Sequence, residues 1–270
     1  MKKKRLIPVL LLKNGWLVQS KKFSQYLNLG NPVTAVKRLS EWSSDELIYL
    51  DITSDEIYDL RRDDLGHPNY HSIFEILDEV SKNTFMPITV GGKIRTLQDI
   101  EKRLLHGADK ISINTQALLN KKFIRKAAKE FGSQCIVVSI DVKINGKKYL
   151  VMSRGGKQKT NYEAVEWAKI VEDQGAGEIL LNSIDQDGMK EGYDINLLKQ
   201  VSSAVKIPVI ALGGAGDWKH FAEAFSKTLV DAVAAANLFQ HIDQSVYLAK
   251  KFLYEHNYNV RPPDLIFIEK

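Results

Sequence analysis

The sequence predicts an α/β chain closed into a (β/α)8 TIM barrel built from two similar half-barrels, and three observations carry that expectation. First, eight short β-rich apolar runs recur along the 270 residues, near 5–12, 47–52, 86–90, 109–113, 135–141, 178–182, 207–212 and 231–235. Second, the segments between them, such as TLQDIEKRLLHG and EAVEWAKIVEDQG, space apolar residues at helical intervals and end on glycine. Third, the chain repeats itself. PITVGGKIRTLQDIEKRLLHGADKISIN parallels PVIALGGAGDWKHFAEAFSKTLVDAVAAAN, with eighteen residues from Gly91 to Asp109 and again from Gly213 to Asp231. An open doubly wound sheet is the alternative, but its first strand lacks the G-x-G-x-x-G turn.

Taken in order, the elements extend the repeat. The first strand, RLIPVLLL, runs into KNG, and the fifth, CIVVSID, runs into VKING; aligned on Lys13 and Lys143, they set Leu11 opposite Asp141. SDELIYLDIT holds the second strand and parallels AGEILLNSID around the sixth, which sets Glu46 opposite Glu178. The third and seventh strands, MPITV and IPVIAL, end at Gly91–Gly92 and Gly213–Gly214, and DKISI and DAVAA are the fourth and eighth. Residues 1–130 and 131–261 therefore read as half-barrels of one domain, 1–261, because neither half closes alone. Residues 262–270 form a tail whose PPDLIFIEK is expected either to pack on the barrel or to make a small docking strand.

Composition narrows the classes. At 44% hydrophobic and 26% charged residues the chain has the profile of a soluble globule that folds without disulfides. The single cysteine, Cys135, fits a reducing compartment and reads as a buried structural thiol at a strand start. MKKKRLIPVLLL is followed by KNGWLVQSKK rather than a small-residue cleavage site, and no apolar run approaches 18 residues. The expectation is a cytoplasmic protein with no membrane association. Net charge is +5, with Lys2, Lys3, Lys4 and Arg5 together, yet no nucleic-acid motif accompanies them. A solvated terminus, an anionic small molecule or an acidic partner surface accounts for the charge without nucleic acid.

In such a barrel, chemistry belongs at the C-terminal ends of the strands. The glycine pairs lie there, where close backbone approach and a following helix N-terminus favour a phosphate, although a tight turn explains a bare pair equally well. The loop SIDQDGMKEGYD offers Asp185 and Asp187 as acid–base groups, as hydroxyl-orienting groups or as caps of the next helix. There is no metal-ligand spacing, nucleophile elbow or phosphate-binding Walker loop, so no metal and no cofactor are expected. At the opposite end, Arg5, Glu46, Lys110 and Glu178 open four strands, either as separate solvated charges or as a satisfied ring closing the base.

DELIYLDIT, ADKISINT, FGSQCIVVSID, GAGEILLNSIDQDGMKEGYD and GGAGDWKHFAEAF closely resemble the cyclase subunit of imidazole-glycerol-phosphate synthase, over nearly the whole chain to about Arg261. The resemblance implies a (β/α)8 barrel with a glutaminase partner docked at its N-terminal face. Ammonia would pass a charged gate, Arg5, Glu46, Lys110 and Glu178, and travel through the barrel to a bis-phosphorylated ribulosyl aminoimidazole at the mouth. It implies Asp141 as a catalytic aspartate. It further implies Asp51, Gly91, Gly92, Lys93, Asn114, Thr115, Asp187, Gly188, Gly213, Gly214, Ala236 and Asn237 as positions around the phosphorylated substrate.

Five departures from the family pattern cluster at the mouth. Leu11 stands where the family has its first catalytic aspartate, Gln19 where it has a flexible-loop lysine, and Lys93 where its first glycine loop has a third glycine. Leu212 and Asn237 replace serines. A positioned acid or base contributes roughly 10²–10⁴-fold, and leucine can neither take nor give a proton. The sequence therefore predicts a divergent subunit that still accepts ammonia but cyclises poorly. Such divergent relatives are associated with acetamidino groups on surface-polysaccharide sugars, installed with a separate sugar amidotransferase. The alternative is a genuine cyclase of histidine biosynthesis in which Asp51 or Asp187 stands in for the missing acid.

Overall fold

The computed structural model describes residues 2–60, 70–82 and 84–265. Among the described residues twelve strands follow in chain order: β1 (Arg5–Lys13), β2 (Trp16–Lys21), β3 (Gln25–Gly30), β4 (Leu47–Asp51), β5 (Ile88–Gly91), β6 (Lys110–Ile113), β7 (Ile136–Asn145), β8 (Lys148–Ser153), β9 (Gln158–Glu163), β10 (Glu178–Ser183), β11 (Val209–Leu212) and β12 (Ala232–Ala235). Eight of them, β1, β4, β5, β6, β7, β10, β11 and β12, pair in parallel, and the β7–β10 and β12–β1 ladders close the cylinder. This is the (β/α)8 barrel the repeats predict. Ten α-helices lie among the strands in the described residues: α1 (Pro32–Glu41), α2 (Ile73–Ser81), α3 (Leu97–Leu105), α4 (Thr115–Leu119), α5 (Lys122–Phe131), α6 (Ala164–Asp173), α7 (Ile195–Ser202), α8 (Trp218–Lys227), α9 (Leu238–His241) and α10 (Ser245–Glu255).

The parallel strands sort their residues by parity, because successive side chains point to opposite faces. Leu6, Leu10, Leu12, Tyr49, Val90, Ile111, Val138 and Leu181 face the helices and join the large outer core. Ile7, Val9, Leu11, Ile48, Val137, Leu180, Ile210, Ala232 and Ala234 face inward and fill the barrel itself. The helices are punctuated as their sequences require. Thr96 and Asp99 form a reciprocal capping box at α3, and Asp217 and Asp194 cap α8 and α7. The repeated aspartates act alike: the Asp109 carboxylate accepts the Ile88 amide at 2.8 Å, and the Asp231 carboxylate accepts the Val209 amide at 3.2 Å. Each pins the start of the preceding barrel strand.

Four strands were not expected from the sequence. β2–β3 and β8–β9 are antiparallel extensions of β1 and β7 that rise from the mouth. Their signal was present in Asn14–Gly15 and Asn145–Gly146, a dipeptide that favours two-residue hairpins. Asn14 and Gly15 both hold positive φ, 52° and 78°, between the paired residues Lys13 and Trp16. Cys135 also differs from expectation: it lies in a 3₁₀ turn just before β7 and is half-buried, because the strand begins at Ile136. Of the tail, Leu265 packs against the outer core, and residues 266–270 lie outside the described residues.

Candidate functional site: a charged base, a two-sided interior and a covered mouth

At the N-terminal end, Arg5, Glu46, Lys110 and Glu178 form a closed ring of alternating sign. Arg5 Nη1 reaches Glu46 Oε1 at 2.5 Å, and Nη2 donates to Glu178 Oε1. Lys110 Nζ donates to the same two carboxylates at 2.9 and 3.2 Å. Burial works against the Arg5 charge, but Glu178 and Glu46 outweigh it and hold the guanidinium protonated. Of the two sequence alternatives, separate solvated charges or a ring, the structure shows the ring. A cavity of about 320 Å³ lies directly outside it, lined by Lys2, Lys3, Arg5, Lys110, Gln134, Glu178 and Asp231 among others.

Above the ring, the interior has two unlike walls. β1, β11 and β12 present Ile7, Val9, Leu11, Ile210, Leu212, Ala232 and Ala234, with Ile48 and Leu50 from β4. β5, β6 and β7 present Thr89, Ser112 and Ser139, each in register with an inward neighbour: Thr89 with Ile48 and Lys110, Ser112 with Val137, and Ser139 with Leu180. All three are buried. Sequence reading passed over these hydroxyls; their signal was Thr89 within ITV, Ser112 two residues after Lys110 in KISI, and Ser139 two residues before Asp141 in VVSID. At about 3.3 Å per residue, the step from Lys110 through Ser112 to Asn114 rises roughly 13 Å.

The polar wall ends at Asp141. Asn114 Nδ2 donates to its Oδ2 at 2.9 Å and Asn182 Nδ2 to its Oδ1 at 3.4 Å. Burial raises its pKa to about 7; nearby Asp187 adds to the rise, and the two carboxamides oppose it. Asn182 was not foreseen, although it holds the inward place in register with Asp141. Leu11 occupies the matching place on β1. It is 8% exposed, in register with Leu50 and paired with Val18 across the hairpin, inside the apolar cluster. Of the two expected stand-ins, Asp187 is engaged by the β2–β3 hairpin and Asp51 by Tyr58 and Thr53. Asp51 is the residue after inward-facing Leu50; its Oδ2 accepts from Tyr58 Oη at 3.0 Å and its Oδ1 from the Thr53 amide at 3.0 Å.

Both glycine pairs are explained by close backbone approach. A side chain at Gly92 would meet the Asp51 carbonyl at 2.2 Å, and one at Gly214 would meet the Gly192 carbonyl at 2.0 Å. At Gly91 an added carbon would lie 2.7 Å from Leu50, and at Gly213 it would lie 2.7 Å from Asn182 Oδ1. Neither pair leads directly into a helix. α3 and α8 start several residues later, and Thr96 and Asp217 already accept their first amides. Lys93 holds φ 54°, and its ammonium donates to the carbonyls of Asp55 and Glu56, 3.9 Å from Asp51 and 5.3 Å over the Tyr58 ring. It ties the loop after β4 onto the loop after β5.

The β10–α7 loop does not use Asp185 or Asp187 as helix caps; Asp194 does that. Asp185 accepts the Ile144 amide at 2.7 Å. Asp187, buried and raised in pKa by that burial, accepts Ser20 Oγ at 2.7 Å and the Phe23 amide at 3.3 Å. Gly188 touches the same hairpin: an added carbon would lie 2.4 Å from the Ser20 carbonyl. Asn237 Nδ2 donates to that carbonyl at 3.0 Å, next to Ala236, which packs on the inner cluster. Thr115 Oγ1 accepts the Arg154 amide at 3.2 Å, which anchors the β8–β9 turn. The structure thus brings Asp141, Asn114, Asp187, Gly188 and Asn237 to the mouth, and leaves Asp51 and Lys93 in a side network with Tyr58.

Residues 5–244 match the family described as histidine biosynthesis protein. A chain from Hydrogenobaculum sp. (strain Y04AAS1), called imidazole glycerol phosphate synthase subunit HisF, is 45% identical over 259 residues, covering 96% of this chain and 98% of that one.

Proposed function

The chain belongs to the histidine biosynthesis protein family, and on that premise we propose that it is a HisF-like barrel subunit that receives ammonia at its N-terminal face and conducts it to the mouth. The observation that carries this reading is the closed four-charge ring beneath a wall of hydroxyls that leads to Asp141. A neutral, fully paired ring closes the base without trapping an ion. Hydroxyls above it can both donate to and accept from a small amine. A glutaminase is the proposed source of ammonia. The cavity outside the ring and the exposed Phe85, Leu105 and Leu229 near the same end are features suited to a protein partner.

The chain is further proposed to have little cyclising activity, because Leu11 and its neighbours give one side of the mouth no acid or base. The ammonia then serves a separate amidotransferase acting on a surface-polysaccharide sugar, in the cytoplasm, with the mouth binding a phosphorylated ligand or that third protein. The second reading, a genuine cyclase subunit, is favoured by the 45% identity to the Hydrogenobaculum subunit and by an Asp141 poised near neutral pH. The docking proposal is tested by calorimetry with a glutaminase subunit. Lys3→Glu at the base should weaken binding at least about tenfold, and Leu27→Ala on the mouth hairpin should leave it unchanged. Absence of binding, or equal sensitivity to both variants, would overturn the placement of the partner.

A further inference from the structure

The antiparallel extension β7–β8–β9 leaves the mouth beside Asp141, and its two faces differ in kind. Side chains paired across an antiparallel ladder point to the same side. Met152 and Lys159 therefore share the side of Asp141, and so do Lys143, two residues along β7, and its partner Leu150. The other side is committed to the fold: Val142 and Val151 join the outer core, and Tyr149 Oη donates to Asp194 at 2.9 Å. On the Asp141 side a cavity of about 320 Å³ opens, lined by Lys143, Asn145, Leu150, Met152, Lys157 and Lys159 among others. Two strand residues separate Lys143 from Asp141, a rise of roughly 7 Å. The cavity thus continues the polar side of the mouth outward.

Its charges are unbalanced. Nearby, Lys148 is matched by Glu163, and the Asp185 carboxylate accepts the Ile144 amide at 2.7 Å. The ammonium groups of Lys143, Lys157 and Lys159 are exposed and make no ion pair or hydrogen bond among the described residues. Three unmatched like charges around one cavity repel each other, and an anion of two or more charges relieves that repulsion. Beneath them half-buried Leu150 and buried Met152 form an apolar floor that a planar ring can cover. We propose that this cavity is a subsite for a nucleoside diphosphate. The diphosphate sits on Lys143, Lys157 and Lys159, and the base lies over Leu150 and Met152. The subsite belongs to β7, β8 and the turn after β8, apart from both glycine pairs, which follow β5 and β11. It rests on the reading that the mouth takes a phosphorylated ligand and names the class of that ligand.

The test is calorimetry on the full chain with three probes: adenosine 5′-diphosphate, uridine 5′-diphosphate and inorganic pyrophosphate. At least one nucleotide should bind with a Kd below about 100 μM. Lys143→Ala and Lys159→Ala each remove a charge-assisted contact and should weaken that binding about tenfold. Lys147→Ala removes the same charge from the β7–β8 turn, outside the cavity, and should weaken it less than about twofold. Leu150→Ala should weaken the nucleotide about fivefold and leave pyrophosphate unchanged. Absence of nucleotide binding overturns the subsite. So does binding that ignores Lys143→Ala, which places the nucleotide elsewhere, or binding that falls equally with Lys147→Ala, which marks diffuse attraction. Equal sensitivity of nucleotide and pyrophosphate to Leu150→Ala overturns the seat for the base. Failed glutaminase docking with this binding intact would remove the ammonia reading and leave the subsite standing.

Discussion

Leu11 and Asp141 occupy matching inward places on β1 and β7, each before an antiparallel hairpin, yet their surroundings are opposite in kind. Leu11 lies among Val18, Leu50, Ile52 and Leu212, whereas Asp141 is held by Asn114 and Asn182 with Ser139 two residues before it. The difference teaches that the contrast is not confined to one residue. An entire wall of the interior is apolar around it. That wall would desolvate any carboxylate placed there and give it no donor.

The largest effect is therefore expected from Leu11→Asp. The new carboxylate should cost about 3–5 kcal/mol at pH 8, measured by urea denaturation, because it is buried without a partner. A cost below about 1 kcal/mol would show that the site still accommodates an acid, and the contrast between the two halves would fail.

Asp141 itself gives the next effect. Its carboxyl titrates near 7 in the fold, above the usual carboxylate value of about 3.9, so the folded state holds a proton that the unfolded state has released. Its contribution to stability is fully present below about pH 4 and is lost as pH rises through 7, by up to about 4 kcal/mol. Asp141→Asn should remove that slope and be the more stable protein above pH 7, by about 2 kcal/mol after the changed hydrogen bonds are counted. An unchanged slope in the variant would place the titration elsewhere.

The base is shared by both halves, and Lys110→Met tests it. Glu46 and Glu178 each lose one of their two cations, for an expected loss of about 2–3 kcal/mol, below the range for fully buried pairs because Lys110 is partly solvated. A neutral outcome would mean that the ring is not a coupled unit. The smallest effect is expected at Lys93→Gly. Glycine relieves the left-handed backbone but gives up the carbonyl contacts to Asp55 and Glu56, so stability should change by less than about 1 kcal/mol. Amide exchange in residues 53–58 should nonetheless quicken, since Lys93 fastens that loop.

The sequence made the barrel legible because parallel strands buried on both faces leave uninterrupted apolar runs, and the repeats confirmed their spacing. At the base the four charges were legible as strand-opening positions, but solvated charges and a ring stayed equally open until the fold brought them together. The mouth was less so. Asp187 and Asn237 were found as positions, but their engagement by Ser20 depends on where a hairpin docks, which no local pattern encodes. Asn182 and the hydroxyls of Thr89, Ser112 and Ser139 are ordinary strand residues until the register shows that they share the interior with Lys110 and Asp141. Lys93 reads as a cation beside a glycine loop, and only the fold shows its ammonium turned onto backbone carbonyls.

The most direct measurement supplies the purified chain with the bis-phosphorylated ribulosyl aminoimidazole and excess ammonium salt, beside the Hydrogenobaculum subunit. Bypassing any partner in this way leaves only the chemistry of the mouth. The account predicts turnover at least about 10²-fold below that of the relative, the loss expected when one of two proton-transfer groups is absent. Turnover equal to the relative's would contradict it and establish a working cyclase.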